Sequence, residues 1–276
     1  MTGCVPSIAE AWLRLYRPQP HARLRLVCFP HAGGSAPFYR KWVIGLPADV
    51  ELASVQYPGR LDRIAEACID DMDRLADLVT EALTSLPDRP IALFGHSLGA
   101  TIAYEVARRI ETRPGEGVAR LFVSGRPPPH RQRATAKHLS HDDLLWQELS
   151  RLGGTESYLL GHREVRSIFI PTLRSDYRLA ETYLPREGPP LRAPITAFLA
   201  DRDPEVGVEE ARAWGELTLG GFELRVFPGD HFYVIPCRDE LIREILRRLD
   251  PCFVDGSGHG EGAVHCPPKH GTGGTQ

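Results

Sequence analysis

Residues 91–103 read Ile91-Ala92-Leu93-Phe94-Gly95-His96-Ser97-Leu98-Gly99-Ala100-Thr101-Ile102-Ala103. Four apolar residues, Ile91 to Phe94, suit a strand buried on both faces. Gly95 to Gly99 then fit G-x-S-x-G, and Ala100 to Ile110 continue as a good helix former. Strand, sharp turn and helix are the context in which that pattern presents a serine hydroxyl above the top of a sheet. The turn leaves almost no room for side chains two residues before and two after the serine. Gly95 and Gly99 occupy those places. A bare G-x-S-x-G is common, so the weight lies in the flanks, and they nominate Ser97 as a nucleophile.

Working outward from this elbow, Asp70 to Leu86 is an amphipathic helix with Met72, Leu75, Val79, Leu83 and Leu86 along one face, stopped by Pro87. It leads straight into the elbow strand, so the unit is a β-α-β crossover and the sheet is parallel. Leu24 to Phe29 and Glu51 to Gln56 read as earlier strands. Leu121 to Ser124, Ile195 to Ala200 and Phe222 to Phe227 read as later ones, and Arg238 to Leu249 as a closing helix. The first strand runs into Pro30-His31-Ala32-Gly33-Gly34-Ser35, whose glycines let backbone N–H groups approach a ligand. A loop in that place supplies one oxyanion donor and the residue after the serine supplies the other, which assigns the roles to Ala32 and Leu98. His31 reads as structural or pocket-lining. Between the strands at 121–124 and 195–200, about sixty residues turn helical in pattern. Helices are expected from Ser140 to Leu152 and over 164–183, the second interrupted at Pro171. An insertion there, about 127–188, reads as a lid. The fold class is therefore α/β, a mostly parallel sheet flanked by helices with a helical lid insertion.

A serine hydroxyl needs a base, and a histidine base needs an acceptor on its other nitrogen. His231 sits in a Gly-Asp-His turn just past the last strand, with Phe232, Tyr233 and Val234 behind it. His96 flanks the serine but should point away from its hydroxyl. Asp201, Asp203 and Asp230 all compete for the acid. Asp230 adjoins the histidine and more naturally ties down its own turn. Asp203, two residues past a strand end and fixed by Pro204, is the choice, with Asp201 second.

With 42% hydrophobic residues in 276, the chain holds one large domain over 1–250. From Pro251 on, glycine-rich sequence without apolar periodicity reads as a disordered tail, 251–276. A net charge of -3 gives no basis for nucleic-acid or anionic-membrane binding. No apolar run approaches the ~20 residues of a membrane span, and no signal pattern opens the chain, so a cytoplasmic globular protein, monomeric by default and with six reduced cysteines, is expected. Cys252, His259, Cys266 and His270 fit no compact zinc pattern, and no metal is expected.

The segments F-P-H-A-G-G-S (29–35), Q-Y-P-G-R (56–60), F-G-H-S-L-G (94–99), L-F-V-S-G-R (121–126), P-T-L-R-S-D-Y-R-L-A-E-T-Y (171–183), D-R-D-P (201–204) and F-P-G-D-H-F (227–232) together resemble the type II thioesterases. These are α/β-hydrolases that act as stand-alone editing enzymes of polyketide and nonribosomal peptide synthetases. The resemblance spans about 24–249. It implies a Ser97, Asp203, His231 triad and oxyanion donors at Ala32 and Leu98. It also implies no cofactor in the protein, and a substrate acylated on the phosphopantetheine arm of an acyl or peptidyl carrier protein. Leu98 stands where methionine is frequent in the family, at a position where only the backbone matters. Arg60, Arg63, Arg126 and Arg131 are expected on loops that could meet an acidic carrier. The competing readings are an esterase of free esters, which would need the same triad, and a silent scaffold on this fold. The initiator methionine and the lack of an upstream carrier motif favour the stand-alone enzyme over an excised release domain.

Overall fold

A computed structural model describes residues 7–152 and 163–249. Among these described residues, seven strands form one sheet: β1 (Leu13–Leu15), β2 (Leu24–Phe29), β3 (Val50–Val55), β4 (Ile91–His96), β5 (Val118–Ser124), β6 (Ile195–Ala200) and β7 (Phe222–Phe227). They lie in the order β1-β3-β2-β4-β5-β6-β7. Every pairing is parallel except β1 with β3. The elbow strand β4 is therefore central. Helices cover both faces, so β2 and β3 are buried along their whole length, as expected for a parallel sheet.

On one face lie α2 (Met72–Thr84) and α3 (Leu98–Glu111). Met72, Leu75, Val79 and Leu83 pack there with Val27, Leu93 and Val123. Asp71 caps α2 by accepting Arg74 N–H at 2.7 Å, a contact typically worth about 1 kcal/mol. On the other face, a 3₁₀ segment at Ala36–Gly45 and the closing helix at Arg238–Leu249 enclose Trp42, Phe94, Phe122, Phe198 and Tyr233.

The N-terminal lead-in adds an edge strand to the sheet. A short helix α1 (Ile8–Trp12), with a Ser7–Glu10 capping box, runs directly into β1, which pairs with β3. Trp12 is buried and lies under the Arg63 guanidinium, 4.3 Å from the ring centroid.

The insertion between β5 and β6 contains α4 (Asp142–Leu152) and α5 (Arg163–Thr182). Leu145, Leu149, Ile170 and Leu173 bind the two together. Contrary to the break expected at Pro171, α5 is continuous through it. Pro171 and Ser167, the residue whose carbonyl loses its partner, are both on the exposed side, where water can satisfy that carbonyl. The expected tail, 251–276, lies outside the described residues. So do Cys252, His259, Cys266 and His270.

Candidate active site

Ser97 sits at φ 54°, ψ −124°, between β4 and α3. A non-glycine residue held there costs about 1–3 kcal/mol and persists only where its surroundings enforce it. The enforcement is visible. A Cβ on Gly95 would lie 2.1 Å from the Gly99 carbonyl oxygen. One on Gly99 would lie 2.1 Å from Phe29 O and 2.8 Å from Pro30 O. The start of α3 is thus pressed against the end of β2, and this brings Leu98 beside the loop that carries Ala32.

His231 follows β7, and Asp203 follows the neighbouring β6. Nδ1 of His231 lies 2.9 Å from Asp203 Oδ2 and 3.0 Å from Oδ1. The two side chains are 2% and 0% exposed. Glu205 N–H donates to Oδ1 at 2.9 Å, fixing the carboxylate. With Nδ1–H given to Asp203, the imidazole has Nε2 left as a proton acceptor. Asp201 and Asp230 do other work: Asp201 accepts Gly229 N–H at 2.8 Å, and Asp230 accepts Phe232 N–H at 3.2 Å. Both tie down the histidine turn.

Ser97 reaches this corner through Ser124 and Gly125. Ser97 N–H donates to Ser124 O at 2.7 Å. A Cβ added to the next residue, Gly125, would stand 3.2 Å from His231 Cε1 and 2.9 Å from His96 Cε1. Among the described residues Ser97 Oγ makes no direct hydrogen bond to the imidazole, a common state in ligand-free hydrolases.

His96 faces inward beneath His231, with ring centroids 4.9 Å apart. Its Nδ1 lies 2.9 Å from Ser124 Oγ, which in turn lies 2.7 Å from the Tyr233 hydroxyl. Burial, then the neighbouring His231 and His31, hold its pKa well below the usual histidine value. His31 is packed edge-on between Phe38 and Phe232. Burial, then the charges of His231 and Arg60, push it down to about 3. Both rings are therefore neutral packing around the third. The sequence offered no sign of the His96–Ser124–Tyr233 chain.

The glycine-rich loop is gripped from outside. Tyr57 Oη donates to Pro30 O at 3.3 Å, and Gln56 Oε1 accepts Ala36 N–H at 3.0 Å. Asp176 on α5 accepts Gly33 N–H at 2.7 Å, and Arg60 donates to Gly34 O at 3.0 Å. Within the described residues, Ala32 N–H and Leu98 N–H have no acceptor. Arg60 and Arg63, expected on exposed loops, are buried instead. Arg60 pairs with Asp176, while Arg63 pairs with Glu66 and donates to Gln56 O. Arg126 is half-buried and bonded to Gln132, and Arg131 is exposed and paired with Glu216.

A cavity of about 360 Å³ borders this corner, walled by Arg126, Gln132 and Pro204 from the core side and by Tyr177 and Glu181 of α5. A larger recess of about 630 Å³, beside α1 and β1, is lined by Arg63 but by none of the nominated triad or oxyanion residues. No cluster of His, Cys, Asp or Glu among the described residues could hold a metal ion, and no described helix is long and apolar enough to cross a membrane.

A mostly parallel seven-stranded sheet with a strained serine at a strand-to-helix elbow defines an α/β-hydrolase. Comparison with known proteins narrows this. Residues 24–249 match the thioesterase domain family, to which the chain belongs, and it is a hydrolase of thioesters. It is 43% identical, over 88% of its length and 67% of the relative's, to a probable cadicidin biosynthesis thioesterase of Streptomyces griseus. It is 41% identical to the thioesterase PikA5 of Streptomyces venezuelae, over 86% of this chain and 85% of that one. Among solved structures, the type II thioesterase BorB from the borrelidin biosynthetic cluster superimposes with a TM-score of 0.81 at 44% identity. That match covers 90% of this chain and 100% of the other.

Proposed function

We propose that Ser97, His231 and Asp203 are the catalytic triad of an editing thioesterase. It frees acyl groups stalled on the phosphopantetheine arm of carrier proteins in polyketide or nonribosomal peptide biosynthesis. The observation that carries this reading is the buried His231–Asp203 pair set beside a strained elbow serine. In the reaction, Nε2 of His231 takes the Ser97 proton as Oγ attacks the thioester carbonyl. Ala32 N–H and Leu98 N–H receive the developing oxyanion, each donor typically contributing about 3 kcal/mol. The C–S bond breaks, and the pantetheine thiolate leaves and takes the proton from the imidazolium. Water, deprotonated by His231, then attacks the acyl-serine, and the oxygen leaves as Ser97 Oγ–H while the free acid departs. Every role is filled by a group of the chain, so the scheme calls for no cofactor. The insertion serves as the lid that walls the acyl pocket. The protein works as a monomer in the cytoplasm, meeting its carrier there.

The test is a rate comparison. One short acyl group is presented on a phosphopantetheinylated carrier protein, on free pantetheine, and as a nitrophenyl ester, each beside Ser97→Ala. Serine-dependent hydrolysis that prefers the carrier-bound thioester is expected. Efficient ester cleavage with indifference to the carrier would make this a general esterase. Wild-type turnover in Ser97→Ala would remove the triad.

A further inference from the structure

Besides its own turn hydrogen bond, Gly34 N–H to His31 O at 2.9 Å, the loop 30–36 is held by contacts from outside it. Gly33 is at φ 74°, a conformation from which the chain could readily relax if released. Tyr57 and Gln56 hold the loop's two ends, and a carboxylate on the insertion holds its middle, next to Ala32. Asp176 Oδ2 accepts both Gly33 N–H at 2.7 Å and Arg60 Nη1 at 2.8 Å, while Oδ1 accepts Arg60 Nη2 at 2.8 Å. Arg60 extends the clamp to Gly34 O. Arg60 and Asp176 are 7% and 3% exposed, so the two-pronged pair is shielded from solvent and geometrically strict. Burial alone would lower the arginine's pKa, but the Asp176 charge and hydrogen bonds outweigh it and hold it above its ordinary value. One turn earlier on the same helix, Thr172 Oγ1 donates to Gly59 O at 3.0 Å. The helix that forms part of the lid is thus bonded to the segment one residue from Ala32.

We propose that Asp176 is a positioning residue for the oxyanion hole: by holding Gly33 N–H and Arg60 together, it sets the place of the Ala32 N–H. The proposal rests on Ala32 being an oxyanion donor. A donor misplaced by about 1 Å can cost on the order of 100-fold in rate without weakening ground-state binding.

The experiment must separate positioning from stability, because removing one member of a buried pair leaves the other uncompensated. Two charge-free double variants do so. Arg60→Met/Asp176→Asn keeps an oxygen for Gly33 N–H, whereas Arg60→Met/Asp176→Leu does not. The readouts are kcat and KM on an acyl-pantetheine, melting temperature, and affinity for an alkyl boronic acid that forms a tetrahedral adduct on Ser97. The Leu pair is expected to lose about 30-fold in kcat relative to the Asn pair with KM within 2-fold, and to lose boronate affinity by a similar factor. Thr172→Val, which cuts another bond of the same helix to the core, should lower the melting temperature and leave kcat in place. If the Leu pair does not fold, Asp176→Ala against Asp176→Asn repeats the comparison with Arg60 present. Equal kcat in the two variants, or a loss that appears only in KM, overturns the role of Asp176. A boronate that binds the wild type no better than the matching carboxylic acid instead overturns Ala32 and Leu98 as oxyanion donors.

Discussion

Replacing Asp203 by asparagine changes one atom type and should nearly silence the enzyme. In the native site Oδ1 is held by Glu205 N–H at 2.9 Å, and Oδ2 faces His231 Nδ1 at 2.9 Å. In Asp203→Asn the backbone N–H keeps the single remaining acceptor at the Oδ1 place, and the amide NH₂ falls opposite Nδ1. Of the two oxygens that face Nδ1, at 2.9 and 3.0 Å, the nearer becomes an N–H donor, which favours the tautomer with its proton on Nε2, and that imidazole can no longer take the serine's proton. In a serine protease triad the equivalent change costs about 10⁴ in kcat, or on the order of 5 kcal/mol of barrier. A similar loss is expected here, because the pair is as fully buried as a triad acid requires. The assay is steady-state release of pantetheine thiol from an acyl-pantetheine, with melting temperature as the check on folding. Asp201→Asn is the control. Asp201 is 47% exposed on its side chain, pairs with the neighbouring Arg202 and accepts Gly229 N–H, an acceptor that the asparagine amide oxygen retains, so a change under about 3-fold is expected. If Asp203→Asn retained a tenth of wild-type kcat, or Asp201→Asn proved the more damaging, the acid has been misassigned.

Two further outcomes concern folding. Gly99→Ala would force a Cβ to 2.1 Å from Phe29 O, a backbone atom that cannot step aside. A loss of about 3 kcal/mol or more is expected, read as a drop of about 6–12 °C in melting temperature. Gly117→Ala, with nothing within 4 Å of the new Cβ, should shift it by no more than about 1 °C, and equal effects would refute the close-approach argument. Acid should destabilise the protein through His31, whose folded pKa of about 3 lies below its unfolded value. The unfolded chain binds the proton first, so stability is complete above about pH 6.5 and is lost as pH falls toward 3. The loss by pH 5 is about 2 kcal/mol from this group. Denaturant titrations at pH 7 and 5 measure it, and His31→Leu should flatten the slope. An unchanged slope would mean that His31 titrates normally.

The parts legible in the sequence were those coded locally. The elbow, the stripe on α2 and the Gly-Asp-His turn each announce themselves within a dozen residues, and chain order then selected His231 and Asp203. β1 was hidden because Leu13-Arg14-Leu15 is too short to show a period and gains its strand character only by pairing with β3. Pro171 reads locally as a helix breaker, and only its exposed setting in the fold lets the helix run through it. Arg60 and Arg63 read as surface charges because nothing within a few residues of either reveals its surroundings. The partner of Arg60 lies 116 residues away. The motifs Q-Y-P-G-R and S-D-Y-R were both visible, but that they form one clamp depends on the tertiary structure.

That clamp bears on how the molecule can be re-engineered. Segments 56–60, 30–36 and 172–176 are far apart along the chain, with Gly33 and Asp176 separated by 143 residues, yet they share one set of hydrogen bonds. A chimera that imports residues 127–188 from another protein to alter acyl preference also replaces the carboxylate on which Arg60 and Gly33 depend. Without a matching acceptor on the incoming helix, the host keeps a buried, unpaired guanidinium and a loosened loop. The insertion is therefore not an independent cassette, and its smallest exchangeable unit includes both of the core segments it grips.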